Sequence, residues 1–66
     1  MTVTVNGESH NLNADTTIAL LLDTLGLNRE ATVVQHNDAI IEREAFELVT
    51  LHDGDVVELV RIVGGG

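Results

Sequence analysis

The 66-residue sequence predicts an α+β fold in which one helix crosses a mixed four- to five-stranded sheet. Three observations predict it. Asn6-Gly7 separates two short segments and marks a tight hairpin. Ile18, Leu21, Leu22 and Leu25 recur at i, i+3, i+4 and i+7, one apolar stripe of helical period. The most hydrophobic segment, residues 56–62, comes last, and such a segment suits a central strand that pairs with the first.

Thr2-Val3-Thr4-Val5 alternates polar and apolar residues and reads as a strand, with residues 8–12 folding back on it after Asn6-Gly7. Asp15 or Thr16 is placed to accept from the first unpaired N–H groups of a helix over residues 17–25. Gly26 supplies a left-handed cap at its end. Residues 32–37 begin with β-branched side chains and end at Asn37-Asp38, a turn into the short strand Ala39-Ile40-Ile41. Residues 42–46 read as one helical turn, and residues 48–51 as a brief edge strand. Asp53-Gly54 marks another tight turn before the final strand. A hairpin, a helix and then strands, the last long enough to lie beside the first, make a β-grasp, the ubiquitin-like architecture. The domain spans residues 1–63, and residues 64–66 form a tail. No segment recurs, so a repeat architecture is excluded.

A chain this short buries roughly 60% of its unfolded surface, so its stability is expected to be modest. Apolar residues make up 44% of it, enough for a core and against disorder. Three arginines and no lysine face eleven acidic residues, for a net charge of -8. That charge repels phosphate backbones, and a single aromatic residue leaves nothing for bases to stack on, which argues against nucleic-acid binding. Basic protein surfaces are the favoured partners. No stretch has the length of a membrane span or the pattern of a signal peptide, so a soluble, cytoplasmic protein without membrane contact is expected.

Few residues offer chemistry. Without cysteine there is no disulfide, thiolate ligand or thiol nucleophile. His10, His36 and His52 share no metal-ligand spacing, and each reads as solvent-exposed. Ser9 and His10 are neighbours on a strand and point to opposite faces, which defeats a nucleophile–base pair. No glycine-rich phosphate loop occurs, and Asp53-Gly54-Asp55 lacks the further oxygen ligands of a calcium loop. No metal site is expected, and by elimination the chain is not an enzyme by itself. Phe46 is expected to plug the end of the sheet opposite the helix.

What remains is the end of the chain. Val63-Gly64-Gly65-Gly66 follows an apolar strand with nothing beyond it, and three residues without Cβ atoms are expected to form a flexible string ending in a carboxylate. Such a tail fits a cleft too narrow for any side chain; a frayed terminus or a cloning scar has the same composition. If that carboxylate is activated as an acyl donor, a chain without lysine offers no side-chain amine to attack it. Val56, Val57, Leu59, Val60, Ile62 and Val63 outnumber what one sheet face buries. Exposure is expected at Val60, Ile62 and Val63, whereas residues 56–59 also suit a strand covered on both faces.

From end to end the sequence resembles the thiamine-biosynthesis sulfur carrier proteins (the ThiS family), small ubiquitin-like domains that end in Gly-Gly. The resemblance is carried by Asn6-Gly7-Glu8, Asp15-Thr16-Thr17-Ile18, Leu21-Leu22-Asp23-Thr24-Leu25-Gly26, Asn37 through Ile41 leading into Arg43-Glu44, Asp53-Gly54-Asp55, and the last strand with its glycines. The chain departs from the family in having Glu42 where proline is usual, Phe46 where tryptophan is usual, and Asn37-Asp38 in place of Asn-Gly. The resemblance implies that an ATP- and Mg-dependent adenylating enzyme, akin to ubiquitin-activating enzymes, converts the Gly66 carboxylate to an acyl-adenylate. It implies that persulfide sulfur, drawn from cysteine by a desulfurase, displaces AMP to leave a thiocarboxylate, which thiazole synthase consumes. Gly64 and Gly65 would give access to narrow channels, Val60, Ile62 and Val63 would meet the partner, and no cofactor would be bound stably. The free carrier is expected to be a monomer. The five residues from Ile62 span at most about 17 Å, so partners must dock the body closely. The small subunit of molybdopterin synthase, a ubiquitin-like modifier and a plain interaction domain share parts of this description.

Overall fold

Asn6 and Gly7 take positive φ values of 49° and 83°, the left-handed pair that a two-residue hairpin requires. They fold β1 (Thr2–Val5) onto β2 (Glu8–Asn11) in antiparallel register, Val3 opposite His10. Residues 1–63 are described in this computed structural model, and the predicted tail, residues 64–66, lies outside them.

The helix α1 (Ile18–Leu25) begins one residue later than the sequence predicts. Its cap is neither Asp15 nor Thr16. Thr17 Oγ1 accepts from the Leu20 amide at 3.2 Å, while Thr16 Oγ1 donates to the Asn13 carbonyl and Asp15 sits at φ 71° in the preceding turn. Thr17 alone combines extended backbone with a hydroxyl three residues ahead of the acceptor-seeking amide. Gly26 closes the helix at φ 70° and directs its N–H to Asp23 and Leu22.

β3 (Thr32–His36) and β4 (Ala39–Ile41) form a second hairpin, turned by Asn37 and Asp38 at φ 47° and 71°. Both residue types tolerate this region, so Asp38 replaces the usual glycine at modest cost. A 3₁₀ turn over Arg43–Ala45 follows. The edge strand expected over residues 48–51 does not form: only Thr50 makes a bridge, to Thr17, and Leu48 is 80% exposed. Residues 46–49 instead cap the helix, because the Phe46 and Val49 carbonyls accept from the Ala19 and Ile18 amides. Those amides have no partner within the helix, and capping satisfies both.

β5 (Val56–Arg61) is the central strand of a sheet ordered β2-β1-β5-β3-β4. It runs parallel to β1, with Thr4 and Val5 level with Val56 and Val57, and antiparallel to β3, with Val34 level with Leu59. One helix over a mixed five-stranded sheet is the β-grasp, ubiquitin-like fold.

The core holds Val3, Val5, Ile18, Ala19, Leu21, Leu22, Val34, Phe46, Leu51 and Val57. Leu25, last in the predicted stripe, is 36% exposed where the helix ends. Phe46 is buried beside the first turn of α1 rather than at the sheet end opposite it, because its backbone is tied to Ala19.

Candidate functional site

Strand alternation and register divide β5 into two sides. Val57 and Leu59 face the core, level with His36 and Val34 of β3. Val56, Glu58 and Val60 face away, and Val60 stands level with Val33. The sheet's outer face is therefore uncovered along its central strand: Val56 is 45% exposed and Val60 60%, with Ile40 of β4 at 63%. The alternative of a strand covered on both faces is not what the fold adopts. Past the strand, Ile62 and Val63 are also exposed, and the predicted carboxylate of Gly66 and the access positions Gly64 and Gly65 lie outside the described residues.

Two contacts hold the last turns of chain before the glycines. The Ile62 amide donates to the Ala31 carbonyl at 2.7 Å, which extends the β3–β5 ladder one residue beyond Arg61. On the other flank, regular pairing between β1 and β5 ends at Val57, where β1 turns away. The Asn6 side chain takes over: the Leu59 amide donates to Asn6 Oδ1 at 2.7 Å and Asn6 Nδ2 donates to the Leu59 carbonyl at 3.2 Å. One side-chain amide thus stands in for a strand residue and fixes β5 two residues closer to the tail. The sequence marks Asn6 only as a turn residue; nothing in the local pattern distinguishes this second task.

At the opposite end of β5, the Asp55 carboxylate gathers three partners. His36 Nε2 lies 2.7 Å from Asp55 Oδ2, the His52 amide donates to the same oxygen at 2.9 Å, and Asn37 Nδ2 donates to Oδ1 at 3.1 Å. Asn37 Oδ1 in turn accepts from the Val56 amide at 2.9 Å. Burial works to raise the Asp55 carboxyl, but the hydrogen bonds from His36, His52 and Asn37 outweigh it and hold the group below its ordinary value. His36 is thus not the exposed residue expected from sequence: its side chain is 16% exposed and turned onto Asp55.

Among the described residues no three His, Cys, Asp or Glu side chains converge as a metal site. A shallow groove lined by Asn11, Leu12, Asn13, Thr16, Leu20 and Thr24 contains no ionisable side chain. No described helix is long and apolar enough to cross a membrane. Arg29 bridges Glu47 at 2.8 Å and Asp23 at 3.3 Å, a surface arrangement that ties the helix to the segment after the 3₁₀ turn. The described chain thus brings together no acid–base or nucleophilic pair with room for a substrate. Among the described residues its distinguishing arrangement is an open apolar sheet face and a central strand secured on both flanks, and in the sequence three glycines follow.

Known proteins are similar to this chain over its length. A model of the ThiS family matches residues 3–66. The sulfur carrier protein ThiS of Bacillus subtilis is 40% identical over 63 residues, covering 94% of this chain and 96% of that one. A thiazole synthase of Magnetococcus marinus is 39% identical over all 66 residues, and the chain spans only 20% of that protein's length. The crystal structure of a thiamine biosynthesis protein (ThiS) from Geobacter metallireducens superposes with a TM-score of 0.83 at 38% identity, each chain fully covered. A family model matched over residues 3–66, together with relatives of 38–40% identity over nearly the full length of both chains, places this chain in the ThiS family.

Proposed function

We propose that this chain is a sulfur carrier of thiamine biosynthesis, a protein that partner enzymes act on rather than an enzyme. The observation that carries the reading is the junction of a secured central strand, exposed Val60, Ile62 and Val63, and three glycines. An ionised carboxylate is a poor electrophile, so the Gly66 carboxylate first reacts with ATP and Mg on an adenylating enzyme. Sulfur from a cysteine desulfurase then displaces AMP, and the resulting thiocarboxylate donates sulfur to thiazole synthase. Gly64 and Gly65 present no side chain to a narrow channel. Val60, Ile62 and Val63 dock the body close to it, and the acidic surface meets basic partner surfaces.

The thiazole synthase of Magnetococcus marinus supports that partner, because a segment similar to the entire chain makes up a fifth of it. Covalent linkage of two components keeps their effective concentration high. The names of the relatives favour thiamine over molybdopterin synthase chemistry.

Incubation with ATP, Mg, a cognate adenylating enzyme and a sulfur donor is expected to raise the intact mass by about 16 Da, the replacement of one oxygen by sulfur. Deletion of Gly64, Gly65 and Gly66 together abolishes the shift without changing the fold. Retained conversion after that deletion refutes the assignment to Gly66. Isopeptide adducts in place of the shift indicate a modifier.

A further inference from the structure

The proposed reading makes the Gly66 acyl group an electrophile, and any amine within reach then competes with sulfur for it. The sequence contains no lysine, so in the 66-residue chain the one primary amine is the α-amine of Met1. That amine donates to the Leu12 carbonyl at 2.9 Å and is half-buried, while the Leu12 amide donates back to Met1. The topology also separates it from the tail. β1 and β5 are parallel, and Thr4 is level with Val56, so Met1 lies three residues behind that level and Ile62 six residues ahead. Nine residues of strand place them about 30 Å apart at ~3.3 Å each. Ile62 is pinned to Ala31, and the four residues beyond it reach about 14 Å at full extension. An activated tail therefore falls far short of its own α-amine.

We infer that composition and topology together make this chain inert as an acyl acceptor, so that an activated Gly66 is neither cyclised onto Met1 nor joined to a second copy. The inference rests on the sulfur-carrier reading for its purpose, but its chemistry is tested without any partner enzyme. An amine nitrogen attacks the activated carbonyl carbon, an amide C–N bond forms, the bond to the leaving group breaks, and the amine loses a proton to solvent.

The full chain is prepared with Gly66 as the thioester of a small thiol, an acyl donor of the same class, and incubated at mildly alkaline pH at high concentration. Hydroxylamine added to one portion converts it to the hydroxamate and shows that the donor is competent. In the remainder the parent chain is expected to hydrolyse, with no species of twice the chain mass less the thiol and no cyclic product. Acetylation of Met1 is expected to change nothing. The variants R43K and T24K each place one amine on an exposed surface position. They are expected to form amide-linked dimers at least about tenfold above the parent, because each new amine stands exposed to solvent whereas that of Met1 is half-buried and bonded to the Leu12 carbonyl. Parent chains that link or cyclise as fast as the lysine variants overturn the inference. So do lysine variants that link no faster than the parent while the hydroxamate forms normally. Failure of the mass shift with ATP and adenylating enzyme, by contrast, removes the carrier reading and leaves this reactivity result standing.

Discussion

Replacing Asn6 by alanine isolates the contribution of one side chain to the strand that carries the tail. Two losses combine. The hydrogen bonds to the Leu59 amide and carbonyl disappear, and because both are solvent-accessible, water replaces them at a cost of about 0.5–1 kcal/mol each. Alanine must also adopt φ near 49°, a region that asparagine tolerates and that costs an ordinary residue about 1 kcal/mol or more. The sum is about 2–3 kcal/mol, against a total stability of about 3–10 kcal/mol for a chain of this length. Asn6→Asp keeps the acceptor for Leu59 N–H and the backbone tolerance, and loses only the donor, so about 0.5–1 kcal/mol is expected. Urea unfolding followed by far-UV circular dichroism measures both, since the chain lacks tryptophan and tyrosine. Amide exchange at Leu59 separates the clasp from the turn: faster in Asn6→Ala, near parental in Asn6→Asp. An Asn6→Ala variant within about 0.5 kcal/mol of the parent, the range of ordinary surface changes, refutes the argument.

Phe46→Ala removes the largest fully packed side chain and costs about 3–5 kcal/mol, which leaves the domain largely unfolded; a cooperative melt close to the parent's contradicts that placement. For Asp55 the sign follows from a folded-state pKa below the ordinary value of about 3.9. Its contribution is complete above that value and is lost as pH falls through the lower, folded-state value. Asp55→Asn is therefore expected to be about 1.5–3 kcal/mol less stable than the parent at pH 7, the range for hydrogen bonds to a charged group. The gap closes below about pH 4, and a gap that is constant between pH 7 and 3 rejects the mechanism. Thr17→Val removes the helix cap and costs about 1 kcal/mol by thermal unfolding, whereas Thr16→Val, whose hydroxyl bonds only the Asn13 carbonyl, costs less; the reverse order contradicts the assigned cap.

Periodicity and turn chemistry carried most of the architecture. Asn6-Gly7, Gly26 and Asp53-Gly54 mark real changes of backbone direction because positive φ is a local property, readable from residue type. The central position of residues 56–61 was legible from their apolar density. Where the sequence misled, the deciding partner was remote. Residues 48–51 have strand-like composition, yet the unpaired amides of Ile18 and Ala19 claim the carbonyls nearby, and no neighbouring strand is available to compete. His36 looked like a surface residue because Asp55, nineteen positions away, cannot be seen in its local pattern. The Asn6 clasp was hidden in the same way, its partner fifty-three positions on. Of the site, residue identity exposed the glycines and the surplus of valines, whereas the fastening of the strand beneath them emerges only from register.

The two-sided pairing of β5 has a mechanical consequence. An enzyme that draws the chain end into a channel pulls on Val63, in line with the strand behind it. That load falls in shear on the bonds to β1, β3 and Asn6, which lie side by side across the direction of pull and share it. A tail hung from an edge strand would instead concentrate the load on one bond after another and peel the sheet open. Under the proposed function, that side-by-side pairing would spread a pull on Val63 over several bonds at once.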